Sequence, residues 1–260
     1  MSRSTTRSLN KNEIETVNFC FDRSCNLQCP SCRLELINYL GKDRDGVDEK
    51  LRQVNEEISE TIKRLYLSGS ADPFYSKSFR QFLINFDAKK YPMMERIHIH
   101  TNGILWTQNL WEKMKPIHPF VKSCEISIDS STKETYENLV RIGGQWDKLI
   151  DNLDFIINIP NIEYYIFSFV VQDTNYKEMF DFSQLINSLD WKDNKRVNIF
   201  FNHITNWGTY ENEEYELKDV SNPKNPKHTD FLNELDRIVK VKNVSHNFNH
   251  LIPAVEKTLF

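Results

Sequence analysis

Cysteine is scarce: the 260-residue chain has five, an odd number, and no disulfide framework is implied. Long apolar runs are missing too. No stretch reaches the ~18 apolar residues that would span a membrane. The first stretch, Met1 to Glu13, is polar and lacks the apolar segment of a secretory leader. A cytoplasmic setting is expected, which suits thiols that must stay reduced. Neither sign of charge dominates: the net charge is −4, so no basic field points to nucleic acid. No internal linker or low-complexity tract divides the chain. Hydrophobic residues make up 39%, on the polar side for a globular protein. The length suits one sizeable core and lies within the range of a single α/β barrel.

Three of the five cysteines stand together. Cys25, Cys29 and Cys32 have C-x3-C-x2-C spacing, directly after an apolar run, residues 17–21, that reads as a strand. Thiolates are the usual protein ligands of iron–sulfur clusters. Three of them leave one iron of a [4Fe-4S] cube without a protein ligand, and an open metal position is a place for chemistry, as it is on zinc. A zinc knuckle is the competing reading, but zinc sites usually show two ligand pairs, and no second pair exists here. Cys20 is placed within the apolar strand, as a core thiol.

Strands are expected near 15–21, 64–68, 95–100, 122–129, 162–171 and 195–203. Helices are expected near 33–40, 47–63, 76–86, 107–116, 132–158 with a break at Gly143-Gly144, 175–189 and 227–240. Residues 41–46 read as a loop. In 241–260, Ile252, Val255 and Leu259 recur at helical spacing. Alternating strands and helices argue for a parallel sheet of right-handed βαβ units. Side chains alternate along a strand. Ile97, Ile99, Ile126 and Ile128 therefore oppose His98, His100, Glu125, Ser127 and Asp129; Leu65 and Leu67 oppose Tyr66 and Ser68; Val197, Ile199 and Phe201 oppose Asn198, Phe200 and Asn202. Unpaired buried polar groups are costly, so a polar face turned inward implies a cavity. The alternative is that these residues sit at strand ends in solvent.

The cysteine spacing resembles that of the radical S-adenosylmethionine (radical SAM) superfamily, and further stretches over residues 15–207 fit the same resemblance. Ser68-Gly69-Ser70-Ala71-Asp72-Pro73 is similar to the family's Gly-Gly-Glu-Pro segment, with Asp72 in place of Glu. His100-Thr101-Asn102-Gly103 resembles its Thr-Asn-Gly turn, and Ser127-Ile128-Asp129 its Ser-x-Asp strand end. Tyr136-Glu137…Arg141-Ile142-Gly143-Gly144 resembles the Tyr-Glu…Arg-Gly-Gly pattern of the peptide-modifying branch. Val170-Val171-Gln172 ends the fifth strand, where the family surrounds adenine. One departure is Ser31, where many members carry an aromatic.

The resemblance implies a partial (βα)6 barrel of parallel strands. Cys25, Cys29 and Cys32 would hold a [4Fe-4S] cluster, with S-adenosylmethionine (SAM) on its open iron. Ser68, Gly69, Ser70, Asp72, Ser127, Asp129, Arg141 and Val171 are the expected cofactor contacts. Asp72 and its loop are expected to take the SAM amino group, and Arg141 its carboxylate by two parallel hydrogen bonds. An exposed helix charge is the plainer reading of Arg141. No residue is assigned a catalytic role. His203 and Trp207, after the sixth strand, touch substrate or pack in the core. The nearest branch carries SPASM or Twitch extensions, but after Cys32 only Cys124 remains, so this chain builds no auxiliary cluster. The expected organisation is a flexible arm (1–14), a radical SAM core (15–207) and a helical extension covering the barrel (208–260). The implied activity is hydrogen abstraction by a 5′-deoxyadenosyl radical from a peptide or protein. A small molecule such as a sugar or nucleotide precursor is the alternative substrate, and a non-enzymatic metal-binding module the distant one. A flavodoxin- or ferredoxin-type reductant is the expected partner.

Overall fold

A computed structural model describes residues 14–67, 69–192 and 195–251. Ser68, most of the expected N-terminal arm and the apolar positions Ile252, Val255 and Leu259 lie outside them. The strands are β1 (Thr16–Phe19), β2 (Arg64–Leu67), β3 (Arg96–Thr101), β4 (Val121–Ser127), β5 (Tyr164–Val171), β6 (Arg196–His203) and β7 (Val244–His246). They form one seven-stranded sheet in sequence order, and every pairing is parallel. The crossovers carry α1 (Lys42–Glu57), α2 (Lys77–Ile84), α3 (Gln108–Glu112), α4 (Lys133–Thr135), α5 (Trp146–Ile156), α6 (Met179–Asn187), α7 (Asn212–Lys218) and α8 (His228–Ile238). Among the described residues, no helix is long and apolar enough to cross a membrane.

Local chemistry explains most of these elements. β5, Tyr-Tyr-Ile-Phe-Ser-Phe-Val-Val, is almost wholly β-branched and aromatic. Ser76, Thr107 and Thr132 cap α2, α3 and α4 by accepting from backbone N–H groups. Leu149, Leu153 and Ile156 put one buried stripe on α5, and Phe231, Leu235 and Ile238 another on α8. These stripes meet the apolar face of the sheet, where Leu65, Ile97, Ile99, Ile126, Ile199 and Phe201 are fully buried.

Four expectations fail. No helix forms over 33–40. That stretch is irregular and lies against the cysteine loop, with Cys25 N–H donating to the Ile37 carbonyl and Tyr39 N–H to the Ser24 hydroxyl. Residues 42–46 are helical, because Asp43 and Asp45 fall in the first turn of α1, where negative charge suits the helix dipole. Cys20 is exposed. It follows Phe19, which takes the core side, so alternation turns the thiol outward. Finally, β7 adds a strand to the six expected, so residues 208–251 are not purely helical.

Candidate active site

The cysteine loop between β1 and α1 is clamped at its backbone. Asp22 accepts from Ser24 N–H at 2.7 Å and from the Ser76 hydroxyl. Cys32 and Arg33 N–H groups donate to the Cys29 carbonyl, and Gln28 N–H to the Ile142 carbonyl. Leu27 is wholly buried beneath. The result is one cavity of about 350 Å³, lined by Cys25, Cys29 and Cys32 together with Gly69, Ser70, Asp72, His100, Asn102, Ser127, Asp129 and Arg141. That volume is in the range of small-molecule sites.

Each sulfur has an N–H donor. Asn102 Nδ2 lies 3.8 Å from Cys25 Sγ, Arg141 Nη1 3.5 Å from Cys29 Sγ, and Arg33 Nη2 3.4 Å from Cys32 Sγ. Burial, with the Asp72 charge adding to it, pushes the Cys25 thiol up to about 12. Burial also pushes Cys29 up, against the pull of Arg141. Without a bound cation these thiols keep their protons; metal binding must displace them. Among the described residues, no three His, Cys, Asp or Glu side chains close around a single ion. A cube asks less, one thiolate on each of three irons, and three sulfurs on one wall of a cavity fit it.

Asp72 is placed by the loop after β2, and its carboxylate is already occupied. Oδ1 accepts from Phe74 and Tyr75 N–H, and Oδ2 from the Thr101 hydroxyl at 2.7 Å and Asn102 N–H at 2.9 Å. It braces two loops through these four donors. Gly103, at φ +79°, has no room for a Cβ, which would stand 2.9 Å from Leu149 Cδ1.

At the end of β4, the Ser127 hydroxyl lies 2.7 Å from His100 Nε2 and 2.9 Å from the Ser168 hydroxyl. Asp129 has φ +65°, rare for a residue with a side chain. Its carboxylate holds that conformation, with Oδ1 accepting from Val170 N–H at 2.8 Å and Oδ2 paired with Arg141 Nη2 at 2.8 Å. Arg141 follows a π-helical turn, Tyr136–Val140. Such turns often mark functional sites. It is buried rather than an exposed helix charge. Its Nε, like the Tyr136 hydroxyl, is buried with no hydrogen-bond partner among the described residues. Gly144 permits the turn, since a Cβ would meet the Tyr136 ring at 2.5 Å and the Arg141 carbonyl at 2.7 Å.

The expected residues therefore gather on one cavity, with two exceptions. Ser68 lies outside the described residues. Val171 is turned into the core, and its neighbour Val170 lines the cavity in its place; alternation moves the contact by one position. The mouth is formed by Asn202, His203, Thr205, Trp207 and Asn247. His203 Nδ1 donates to the Ile204 carbonyl at 2.7 Å. A carbonyl only accepts, so Nε2 is the free acceptor. Sequence reasoning missed Arg33, whose one signal was its place beside Cys32. It also missed Asn247, which gave no signal.

The sequence profile of the radical SAM superfamily matches residues 20–186. No curated protein matches the chain. Among solved structures, polyhistidine-tagged anSMEcpe with bound AdoMet is similar at 15% identity and TM-score 0.54, over 90% of this chain and 64% of that one. TYW1 with a lysine–pyruvate adduct bound is 14% identical at TM-score 0.49, over 84% of this chain and 70% of that one. At 15% identity the first of these likenesses is one of fold. The profile covers well over half of the chain and includes the cysteine loop and β2 to β5 with their connections, and the chain belongs to the radical SAM superfamily.

Proposed function

We propose that Cys25, Cys29 and Cys32 hold the [4Fe-4S] cluster, that SAM lies across the adjoining cavity wall, and that the substrate is a peptide or protein segment entering past Trp207. The observation that carries this is the meeting of the cysteines, Gly69, Ser70, Asp72, Ser127, Asp129 and Arg141 on one cavity. When bound, the superfamily's cofactors supply a 5′-deoxyadenosyl radical that abstracts hydrogen.

The chain's own residues bind and orient. With Asp72 and the Ser70 carbonyl occupied, the Gly69 and Ala71 carbonyls are left for the SAM amino group. Arg141, fixed by Asp129, lines the cavity, and its guanidinium is the group for an anionic oxygen. Ser127 is held between His100 and Ser168, so its hydroxyl has a defined direction. The core is assigned to residues 15–207, and the segment after it completes the mouth through Asn247. An electron must come from outside, and a flavodoxin- or ferredoxin-type carrier is the assigned donor.

The mouth supports the peptide reading: Trp207 is an exposed flat contact surface there, while the Asn202 and Asn247 amides are paired with each other at 3.4 Å. The size of the cavity supports a second reading. At about 350 Å³ it is near the lower end of small-molecule sites, which favours a compact substrate such as a small polyol.

The test is formation of 5′-deoxyadenosine after anaerobic reconstitution, with SAM and dithionite. The native protein should form it and hold iron and sulfide. Cys29→Ala should lose the product by about 10²-fold or more, beyond the loss typical of residues behind a metal ligand. Equal product from both proteins would sink the ligand assignment. Stimulation by a mixed peptide pool and not by sugars would support the peptide reading; the reverse would support the polyol.

A further inference from the structure

Two arginines reach the cysteine sulfurs, and they differ in what else they touch. Arg141 donates to Cys29 Sγ and is paired with Asp129 at 2.8 Å. Its charge is answered on the spot, so the pair presents little net field to the sulfur. Arg33 donates to Cys32 Sγ at 3.4 Å. Its other contacts are carbonyls, Ser70 at 2.7 Å from Nη2 and Arg23 at 2.8 Å from Nη1. Among the described residues it forms no ion pair. Only 7% of it is exposed, so neither water nor a counter-ion screens it well. Two carbonyls hold the guanidinium plane in place, so it cannot swing away when the charge beside it changes.

We propose that Arg33 sets the reduction potential of the cluster, acting as a fixed, unneutralised charge at Cys32. The inference rests on the reading of Cys25, Cys29 and Cys32 as cluster ligands. Reduction adds one electron, delivered by a one-electron donor, to a site already bearing three thiolate charges. A positive charge at 3.4 Å from one of those sulfurs favours the added electron, and more so where the dielectric is low. Hydrogen bonds and charge near cluster sulfurs are among the factors that set such potentials. Arg33 also joins the cysteine loop to the 69–72 loop through the Ser70 carbonyl. The residue that eases reduction therefore also positions the loop assigned to SAM. Arg33 is a positioning residue in this account; it touches the ligand sulfur and not the substrate.

The experiment is a redox titration followed by electron paramagnetic resonance on full-length protein, reconstituted anaerobically and assayed for iron and sulfide. Arg33→Gln keeps a donor and removes the charge. Arg33→Lys keeps the charge. The expected result is a fall of tenfold or more in the one-electron reduction constant for R33Q, about 59 mV per tenfold, with R33K within about twofold of the native protein, a third of that interval. A fully loaded R33Q with the native midpoint overturns the proposal. So does an equal fall in both variants, because bond geometry and not charge would then be responsible. If R33Q holds no cluster, R33K decides. A loaded lysine variant at the native midpoint supports the charge, and an empty one makes Arg33 a structural brace and overturns it. No iron in the native protein sinks the ligand reading, a failure distinguishable from that of Arg33.

Discussion

The cavity has two unlike sides. On the wall built by the cysteine loop and the ends of β2 to β4, Asp72, Asp129 and Ser127 are each held by fixed partners. Asp72 accepts from four donors, Asp129 is held by Val170 and Arg141, and Ser127 is fixed from both sides. At the mouth, built after β6 and β7, His203 keeps Nε2 free and Trp207 is 74% exposed. A group whose partner is always the same can be preorganised, and satisfied hydrogen bonds do that in a dry wall. A group that must accept and release a changing partner cannot. On the proposed reading, the braced wall serves the cofactors and the open mouth the substrate.

The largest effect should follow from breaking the braced wall. Asp129→Ala leaves the Arg141 charge buried and unanswered. Removing one partner of such a pair costs about 3–5 kcal/mol. Chemical denaturation of the metal-free protein should show a loss of that order. With thiolates in a bound cluster beside Arg141, the loss should shrink, since Cys29 Sγ lies 3.5 Å from its Nη1. An Asp129→Ala protein as stable as the native one would show that the wall is not held by this pair.

A second effect lies below the cavity. His98 is buried on the same strand face as His100, with Nδ1 2.8 Å from the Ser123 hydroxyl. Burial first, then the nearby His100, lowers its pKa from 6.5 to about 4, with Glu125 opposing. The sign is fixed by which state binds the proton. Below pH 6.5 the unfolded chain takes one up and the folded chain does not, so stability is lost as pH falls toward 4. The loss reaches at most about 3 kcal/mol. Denaturation midpoints at about pH 7 and about pH 4.5, which bracket most of that window, should differ by less in His98→Gln than in the native protein. Equal differences would place His98 in a wetter setting, closer in character to the mouth.

The same contrast explains what the sequence made legible. The braced wall consists of short consecutive motifs at strand ends, so Cys25, Cys29, Cys32, Gly69, Ser70, Asp72, Ser127, Asp129 and Arg141 were found from spacing and resemblance. Their bonding was not. Nothing in the order of residues tells that Asp72 is filled by Thr101 and Asn102, or that Asp129 holds Arg141, because those partners are set by tertiary packing. Residues 33–40 misled for a related reason. Leu34, Ile37 and Leu40 have helical spacing, yet Leu34 is 71% exposed, and hydrogen bonds to the cysteine loop fixed the chain instead. β7 is three residues long, too short for any periodicity to show, so Asn247 stayed hidden with it.

The smallest effect on stability, and the sharpest on the comparison, is expected at the mouth. Trp207 contributes little to the core, so Trp207→Ala should change stability by less than about 0.5 kcal/mol, as exposed substitutions usually do. If the open side meets substrate, the same change removes a large flat contact surface, and truncated aromatic anchors commonly cost more than about 1 kcal/mol of binding. The concentration of peptide giving half-maximal stimulation of 5′-deoxyadenosine formation should then rise by about tenfold, the factor that about 1.4 kcal/mol sets. Unstimulated SAM cleavage, and the change in the cluster's paramagnetic signal on adding SAM, should stay as they are, because no contact of Trp207 with the braced wall is called on. A shift in those two readouts would mean that the mouth and the wall are one site, and that the division drawn from their hydrogen bonding is wrong.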